Sequence, residues 1–249
     1  MTGRSLIWHH SAMLDRPYGG ARHGSLLTAL GTAIVSGQYP PGRVITLDGV
    51  NAEHRVSRSV AREAIRVLES MGMVESRRRV GITVQPAEKW NVFDPMLIRW
   101  RLDVGDRTAL LTSLSELRLG FEPAAAALAA QRATPHQCRI MASAVSDMVV
   151  HGRSGDLDSY LLADKLFHQT LLEASGNEMF RALTGVVDEV LTGRTQHGMM
   201  PEKPKIAAIA LHDEVARAIR MGEAKQAEEA MRAIIDEAAS AVVDEMPTP

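Results

Sequence analysis

An aspartate and two histidines in the second half of this 249-residue chain could bind a metal ion. Asp164 and His168 are four residues apart in DSYLLADKLFHQTLLEASGN, so a helix would place their side chains on one face, about one turn apart. His212 follows in a later helical segment. One carboxylate and two imidazoles suit Zn, Mn, Ni or Fe better than Ca, and ligand type alone does not choose among these four. The alternative is three ordinary core or surface residues.

A second chemical signal is a cluster of arginines in the first half of the chain. Residues 55–79 carry seven arginines and three glutamates, a local charge of +4 within a chain of net charge −2. An arginine offers two parallel donors to guanine, and it also neutralises phosphates. The candidate DNA-binding residues are Arg55, Ser57, Arg58, Ser59, Arg62, Arg77, Arg78, Arg79 and Gly81. The alternative is a solvated surface on which the arginines pair with the glutamates.

The pattern around these arginines predicts a winged helix-turn-helix. One buried helical stripe is formed by Ala61, Ala64, Ile65 and Leu68. Ser57 is the expected N-cap of that helix, and Gly72 is its expected end. An arginine-rich tip then joins two short apolar segments, 73–75 and 82–84, as in a β-hairpin. Such a fold lays the first residues of its second helix-turn-helix helix against base edges in the major groove.

The second half of the chain predicts an all-α domain. From about residue 106 the sequence lacks the alternation of β-strands, and five breaks separate helical segments. We therefore expect a mainly α protein, in which an antiparallel bundle of about six helices follows the winged helix-turn-helix. The expected parts are an N-terminal tail at 1–23, a DNA-binding domain at 24–85, a connector at 86–105 and a helical domain at 106–246.

Composition excludes several classes of protein. With 28 Lys and Arg against 30 Asp and Glu, the chain is not a histone-like protein held to nucleic acid by bulk charge. Cys138 is the single cysteine, which excludes an internal disulfide and a multi-thiolate metal centre. The longest apolar run, 124–130, is far shorter than the roughly 20 residues of a membrane span, and the N-terminus does not resemble a signal peptide. We expect a cytoplasmic protein that does not bind membranes.

Three stretches of the chain resemble the GntR family of bacterial transcription regulators. They are IVSGQYPPGRVI, VSRSVAREAIRVLESMGMVESRRRVGITV and the long helical segment that follows. The all-α half resembles the FadR subfamily with its FCD-type ligand domain, and the whole resemblance covers about residues 24–245. One departure is the segment TLDGV at 46–50, where the family usually has an arginine that contacts DNA. The operator sequence can therefore not be transferred from relatives.

The resemblance implies a metal site in the helical domain. Family members with a metal use an Asp, a His four residues later and two further His. These positions correspond to Asp164, His168 and His212, and the fourth falls at Ile234. A three-ligand site would leave more of the metal open to water or to an effector oxygen. We expect this open site, with zinc as the first candidate. The alternative is a decayed site whose pocket works by hydrogen bonds alone.

The resemblance also implies a carboxylate effector. In the family, the arginine of an R-x-x-x-E-P pattern faces the ligand pocket, and Arg118 with Glu122 matches that pattern. Its planar guanidinium would hold a carboxylate in two-point contact. The same spacing also fits an ordinary surface ion pair. The connector EKWNVFDPMLIRWRL resembles that of members controlling sugar-acid use, so a sugar acid is the favoured effector.

These observations predict a homodimeric repressor that binds double-stranded operator DNA, releases it when the acid binds, and is not an enzyme. The alternative is a metal-dependent enzyme using Asp164, His168 and His212, although no convincing general base or nucleophile lies beside them in the sequence. A third hypothesis, an architectural DNA protein without sequence preference, is disfavoured because residues 156–249 carry 17 acidic and 9 basic residues.

Overall fold

The computed structural model describes residues 21–201 and 203–244, and the expected N-terminal tail lies almost entirely outside them. The contacts within the chain separate two compact units, the first ending at Asn91 and the second beginning at Val92. This division falls inside the expected connector, 86–105. Among the described residues, no helix combines the length and the apolarity that a membrane crossing would need.

The first unit is the expected winged helix-turn-helix. Its helices are α1 (Ala21–Val35), α2 (Leu47–His54) and α3 (Arg58–Ser70), and a 3-10 helix follows at Ala87–Lys89. Its strands are β1 (Val44–Ile45), β2 (Val74–Arg77) and β3 (Gly81–Val84). They form an antiparallel sheet in the order β1-β3-β2, with Val44 opposite Thr83 and Val74 opposite Val84. The wing is therefore a three-stranded sheet, and the sequence predicted only its hairpin.

Helix α3 forms where the sequence pattern predicts it. The four residues of its apolar stripe are buried, none of them more than 3% exposed. The Ser57 hydroxyl accepts the backbone N–H of Val60 at 3.4 Å, which is an N-cap. After the helix, Gly72 adopts a φ of +72°, and a β-carbon there would lie 2.2 Å from the Lys89 carbonyl oxygen. Only glycine fits at this position, so the chain can turn tightly from α3 into the wing.

The second unit is all-α. Its six long helices are α5 (Arg107–Arg132), α6 (Pro135–Ser154), α7 (Leu157–Ala174), α9 (Thr184–Gln196), α10 (Ile206–Met221) and α11 (Ala224–Asp244). Two shorter helices, α4 (Pro95–Val104) and α8 (Glu178–Ala182), accompany them. The predicted fold class is thus confirmed.

Two apolar clusters hold this unit together. The larger one joins α5, α6, α7, α9, α10 and α11 and includes Phe167, Leu171 and Met231, none of them exposed. The smaller one joins α4, the start of α5, and α9, through residues such as Ile98 and Val190. Burying each large apolar side chain stabilises the fold by roughly 1.5–3 kcal/mol, so α7 is held firmly between its neighbours.

Candidate functional site

Asp164, His168 and His212 converge at one point inside the second unit. Asp164 and His168 lie one turn apart on α7, and His212 comes from α10. His168 Nε2 is 3.4 Å and His212 Nε2 is 3.3 Å from Asp164 Oδ1. One possible ligand atom from each residue lies within 4.8 Å of the other two. The three residues therefore form a group that could hold a metal ion, which we call the Asp-His-His cluster.

The facing atoms of the Asp-His-His cluster have no hydrogen-bond partner. Asp164 Oδ1, His168 Nε2 and His212 Nε2 are all buried, and none of them makes a hydrogen bond within the described part of the chain. Buried polar atoms are nearly always paired, because an unpaired one costs roughly 1–3 kcal/mol. Three such atoms around one point fit a bound cation, and carboxylate with imidazole suits a transition metal.

Hydrogen bonds fix the outer nitrogens of both histidines. His168 Nδ1 lies 2.6 Å from Glu122 Oε2 on α5, and His212 Nδ1 lies 2.8 Å from the Ala208 carbonyl oxygen. A carbonyl and an ionised carboxylate can only accept, so each imidazole donates from Nδ1. When the ring is neutral, the lone pair of Nε2 then points into the cluster, as metal binding requires.

Glu122 also forms the ion pair with Arg118 that the sequence spacing allows. Arg118 Nε is 2.5 Å from Glu122 Oε1, and Nη2 is 3.3 Å from Oε2. The pair is not on the surface, because Arg118 is 1% exposed and Glu122 is not exposed at all. A single carboxylate therefore connects an arginine of α5 to a histidine of α7.

These contacts shift the ionisation of the buried groups. Burial opposes the charge of Glu122, but Arg118 and His168 outweigh it and lower the pKa of Glu122 to about 2. Burial also opposes the charge of His168, but Glu122 and Asp164 raise its pKa to about 9. Despite its burial, Asp164 has a pKa well below the usual range because of the two histidines. Without a metal, His168 is thus protonated at neutral pH.

The Asp-His-His cluster lies in the wall of a pocket whose cavity volume is about 50 Å³. This space has room for about two water molecules, so a larger ligand would require side chains of the lining to move. The other polar or charged side chains in the lining are Arg118, Tyr160, Arg194, Lys205 and Glu237. Ile234, the position expected for a fourth ligand, also lines the pocket, where it has no donor atom to offer.

The candidate DNA-binding residues around α3 are exposed. Arg58, Ser59 and Arg62 lie on its first turns, directly after the Ser57 cap. Arg55 lies in the turn before α3 at a φ of +52°. Arg58 does not point freely into solvent, because its Nη2 is 2.6 Å from Asp48 Oδ1 on α2. Asp48 belongs to the TLDGV segment that departs from the family, and its pairing with Arg58 was not foreseen.

The arginines of the wing lie close to those of α3. Arg62, Arg77, Arg78 and Gly81 all line one open groove between α3 and the wing. Arg77 Nε is paired with Glu75 Oε1 at 2.9 Å, as the solvated-surface alternative expects. Arg78 and Arg79 make no ion pair within the described residues. The structure thus brings four of the nine candidate DNA-binding residues to one groove.

Sequence reasoning missed one buried charge in the pocket. Arg194 of α9 is only 8% exposed and lines the pocket. A signal was available, because Arg194 stands at the i+7 position of an apolar stripe that begins with Val187, Val190 and Leu191. An arginine is rarely buried on the apolar face of a helix without a structural or functional cause, and the neighbouring residues in the sequence do not supply one.

A winged helix-turn-helix unit and a helical unit with a polar pocket together define a transcription regulator. Residues 25–84 match the family model described as "Bacterial regulatory proteins, gntR family", and residues 113–237 match the FCD domain. The chain belongs to the GntR family and carries an FCD domain. It is a DNA-binding transcription regulator, and the metal-dependent enzyme alternative is not supported.

Individual relatives agree with this assignment. The galactonate operon transcriptional repressor of Escherichia coli (strain K12) is 27% identical over 212 residues, which cover 84% of this chain and 92% of the relative. The regulator LutR of Bacillus subtilis (strain 168) is 30% identical over 208 residues, 80% of this chain and 91% of the relative. The structure of Lar, which controls the Listeria monocytogenes agr system, matches with a TM-score of 0.58 at 16% identity, covering 90% of this chain and 97% of Lar. The last likeness shows the fold alone.

Proposed function

We propose that the chain is a repressor that binds operator DNA as a homodimer and leaves it when a small carboxylic acid occupies the pocket of the second unit. The observation that supports this proposal is the buried Asp-His-His cluster, whose unpaired atoms lie in the wall of a pocket also lined by Arg118. A sugar acid is favoured, because the Escherichia coli relative is a galactonate operon repressor.

In the DNA complex, Arg58, Ser59 and Arg62 would meet base edges in the major groove, since they occupy the first turns of α3. Arg77, Arg78 and Arg79 would contact the backbone or the minor groove beside it. Arg55, Ser57 and Gly81 would support these contacts from the turn, the helix cap and the wing. To bond to a base through Nε and Nη2, Arg58 would first have to leave Asp48 Oδ1, to which both nitrogens donate.

Binding of labelled duplexes by paired alanine variants tests this division. Arg62→Ala should cost about 1–3 kcal/mol on the operator and relax the preference at one base pair. Arg78→Ala should weaken binding to operator and random duplexes alike and reduce the salt dependence, because it removes a phosphate contact. Equal losses on both duplexes for Arg62→Ala would contradict the assignment of α3 as the reading helix.

The Asp-His-His cluster would hold one divalent transition metal, for which zinc is the first candidate. A bound metal would supply a positive charge that attracts a carboxylate or hydroxyl oxygen of the effector. Because Ile234 provides no fourth protein ligand, more of the coordination sphere would remain for that oxygen. Metal analysis of protein purified without added metal should give one ion per chain, and His168→Ala should remove it. Full occupancy after changing all three residues to Ala would place the metal elsewhere.

Arg118 would bind the carboxylate through Nη1, because its Nε and Nη2 are engaged by Glu122. The effector would then connect α5 with the cluster on α7 and α10, and it would favour one arrangement of these helices. A typical coupling free energy of about 1–3 kcal/mol would weaken operator binding 5- to 150-fold. Release of labelled operator on titration with gluconate or galactonate tests this step. Arg118→Lys keeps the charge but has one nitrogen in place of three, so it cannot serve Glu122 and the effector as arginine does; it should bind operator normally and respond weakly. A normal response would exclude Arg118 as the contact.

A further inference from the structure

Arg194 is the one buried charged residue of the described chain that has no opposite charge within ion-pair distance. The other buried side chains of acidic and basic residues, histidine included, are Arg118, Glu122, Asp164, His168, Glu189 and His212, and each has such a neighbour. Arg194 Nε is buried without a hydrogen-bond partner, and Arg194 lines the same pocket as the Asp-His-His cluster.

The surroundings of Arg194 compensate its charge only in part. Burial lowers its pKa and the positive charge of Arg118 lowers it further, and together they outweigh Asp164 and Glu237, which raise it. Glu237 also lines the pocket, but its Oε1 pairs with Lys205 Nζ at 3.0 Å. An unpaired buried charge destabilises a fold by several kcal/mol, so its retention in a pocket indicates that a ligand supplies the missing anion.

We propose that Arg194 binds a second acidic group of the effector, so that the pocket takes a dicarboxylic acid. One carboxylate would lie between Arg118 and the Asp-His-His cluster, as in the proposed function on which this inference rests. The other would lie against the Nε edge of Arg194, which can donate two parallel hydrogen bonds. A monocarboxylic sugar acid has only a hydroxymethyl group at that end, and this neutral group would leave the buried charge of Arg194 uncompensated.

Two matched pairs of acids test this proposal by calorimetric titration of the full chain. Galactarate and galactonate share a six-carbon chain and differ at C6, where one has a carboxylate and the other a hydroxymethyl group. Malate and 3-hydroxybutyrate form a four-carbon pair, in which one end is a carboxylate in malate and a methyl group in 3-hydroxybutyrate. In at least one pair, we expect the wild-type chain to bind the diacid ten-fold or more tightly than the monoacid. Arg194→Met should reduce this preference to less than three-fold and leave the affinity for the monoacid nearly unchanged.

Thermal unfolding gives a second readout that does not depend on ligand. Without ligand, Arg194→Met should melt no lower than the wild type, because it replaces an unpaired charge by an apolar side chain of similar length. If the methionine variant folds poorly, Arg194→Lys replaces it in the titrations and should keep part of the diacid preference. Arg232→Met, at a half-exposed site on α11, is the matched control and should change neither property.

The outcomes separate this inference from the proposed function. Equal binding of diacid and monoacid by the wild type, or an unchanged preference in Arg194→Met, would overturn the role of Arg194 and leave an acid effector in place. Failure of all four acids to bind the wild type, with metal present, would overturn the acid effector and this inference with it.

Discussion

Replacing Glu122 by Gln tests the connection between α5 and α7 directly. The substitution keeps the shape of the side chain and removes its negative charge. Arg118, which is 1% exposed, then has no carboxylate in hydrogen-bond contact, and His168 Nδ1 donates to a neutral amide in place of an anion. Both consequences act on buried groups, so solvent cannot screen them.

The size of the effect follows from this burial. Removing one partner of a buried ion pair costs about 3–5 kcal/mol, because the other charge remains in the interior. For a protein of this size, each kcal/mol lowers the melting temperature by about 2–4 °C, so the second unit should melt about 6–20 °C lower. Loss of an outer partner of a metal-binding histidine typically weakens metal affinity about 10- to 100-fold.

The assay is thermal unfolding of the metal-free protein, with helical signal as the readout, followed by metal titration. Glu228→Gln is the matched control, because Glu228 Oε1 faces Arg232 at 3.7 Å and the pair is about half exposed. Such pairs contribute about 0–1 kcal/mol. Combining Glu122→Gln with Arg118→Met removes the stranded charge and should recover much of the stability.

A loss of less than 1 kcal/mol for Glu122→Gln, close to that of the control, would refute this reasoning. It would mean that water or a rearranged side chain compensates Arg118 within the core. A large loss that Arg118→Met does not relieve would also refute it, because the damage would then not come from the stranded guanidinium.

Three further predictions concern other parts of the molecule. Gly72→Ala should destabilise the first unit by about 1–3 kcal/mol because of its backbone conformation, and by more because of the clash with Lys89. Gly37→Ala is the control, since Gly37 has a φ of +77° and open space around it. The difference between the two variants in urea unfolding measures the cost of the clash. In metal-free protein, the pKa of His168 is raised from 6.5 to about 9, so its protonated form stabilises the fold fully below about pH 6.5, and this stability is lost as the pH rises to about 9. His168→Gln should abolish this part of the pH dependence of the free energy of unfolding. An unchanged pH profile would contradict the raised pKa of His168. Ile234→His should tighten metal binding and weaken effector binding, measured by competition with a chelator and by calorimetry, since it fills the position left for the effector.

Much of this fold could be predicted because local patterns determine it. The apolar stripe of α3, its serine cap and the glycine that ends it are all short-range signals, and the structure reproduces them. The pairing of Asp164 with His168 is of the same kind, because helical periodicity alone places them one turn apart. Strand β1 was not predicted, since two residues, Val44 and Ile45, are too few to show alternation.

The contacts that define the pocket could not be predicted in this way. Glu122 and His168 are 46 residues apart, and only the packing of α5 against α7 brings them together. The spacing of Arg118 and Glu122 correctly indicated an ion pair, but spacing does not reveal whether a pair is buried. Arg194 is charged, and charged residues are rarely buried, so its residue type argued against a buried position.

Strand β1 also affects the thermodynamics of DNA binding. An isolated two-stranded hairpin is at best marginally stable in water, whereas β1 makes β3 a central strand with partners on both sides. The wing is therefore already folded when it meets DNA. It loses its conformational entropy when the domain folds, so this loss does not weaken association with DNA. The heat-capacity change on operator binding should then correspond to the contact of two preformed surfaces, without the larger value that accompanies folding on binding.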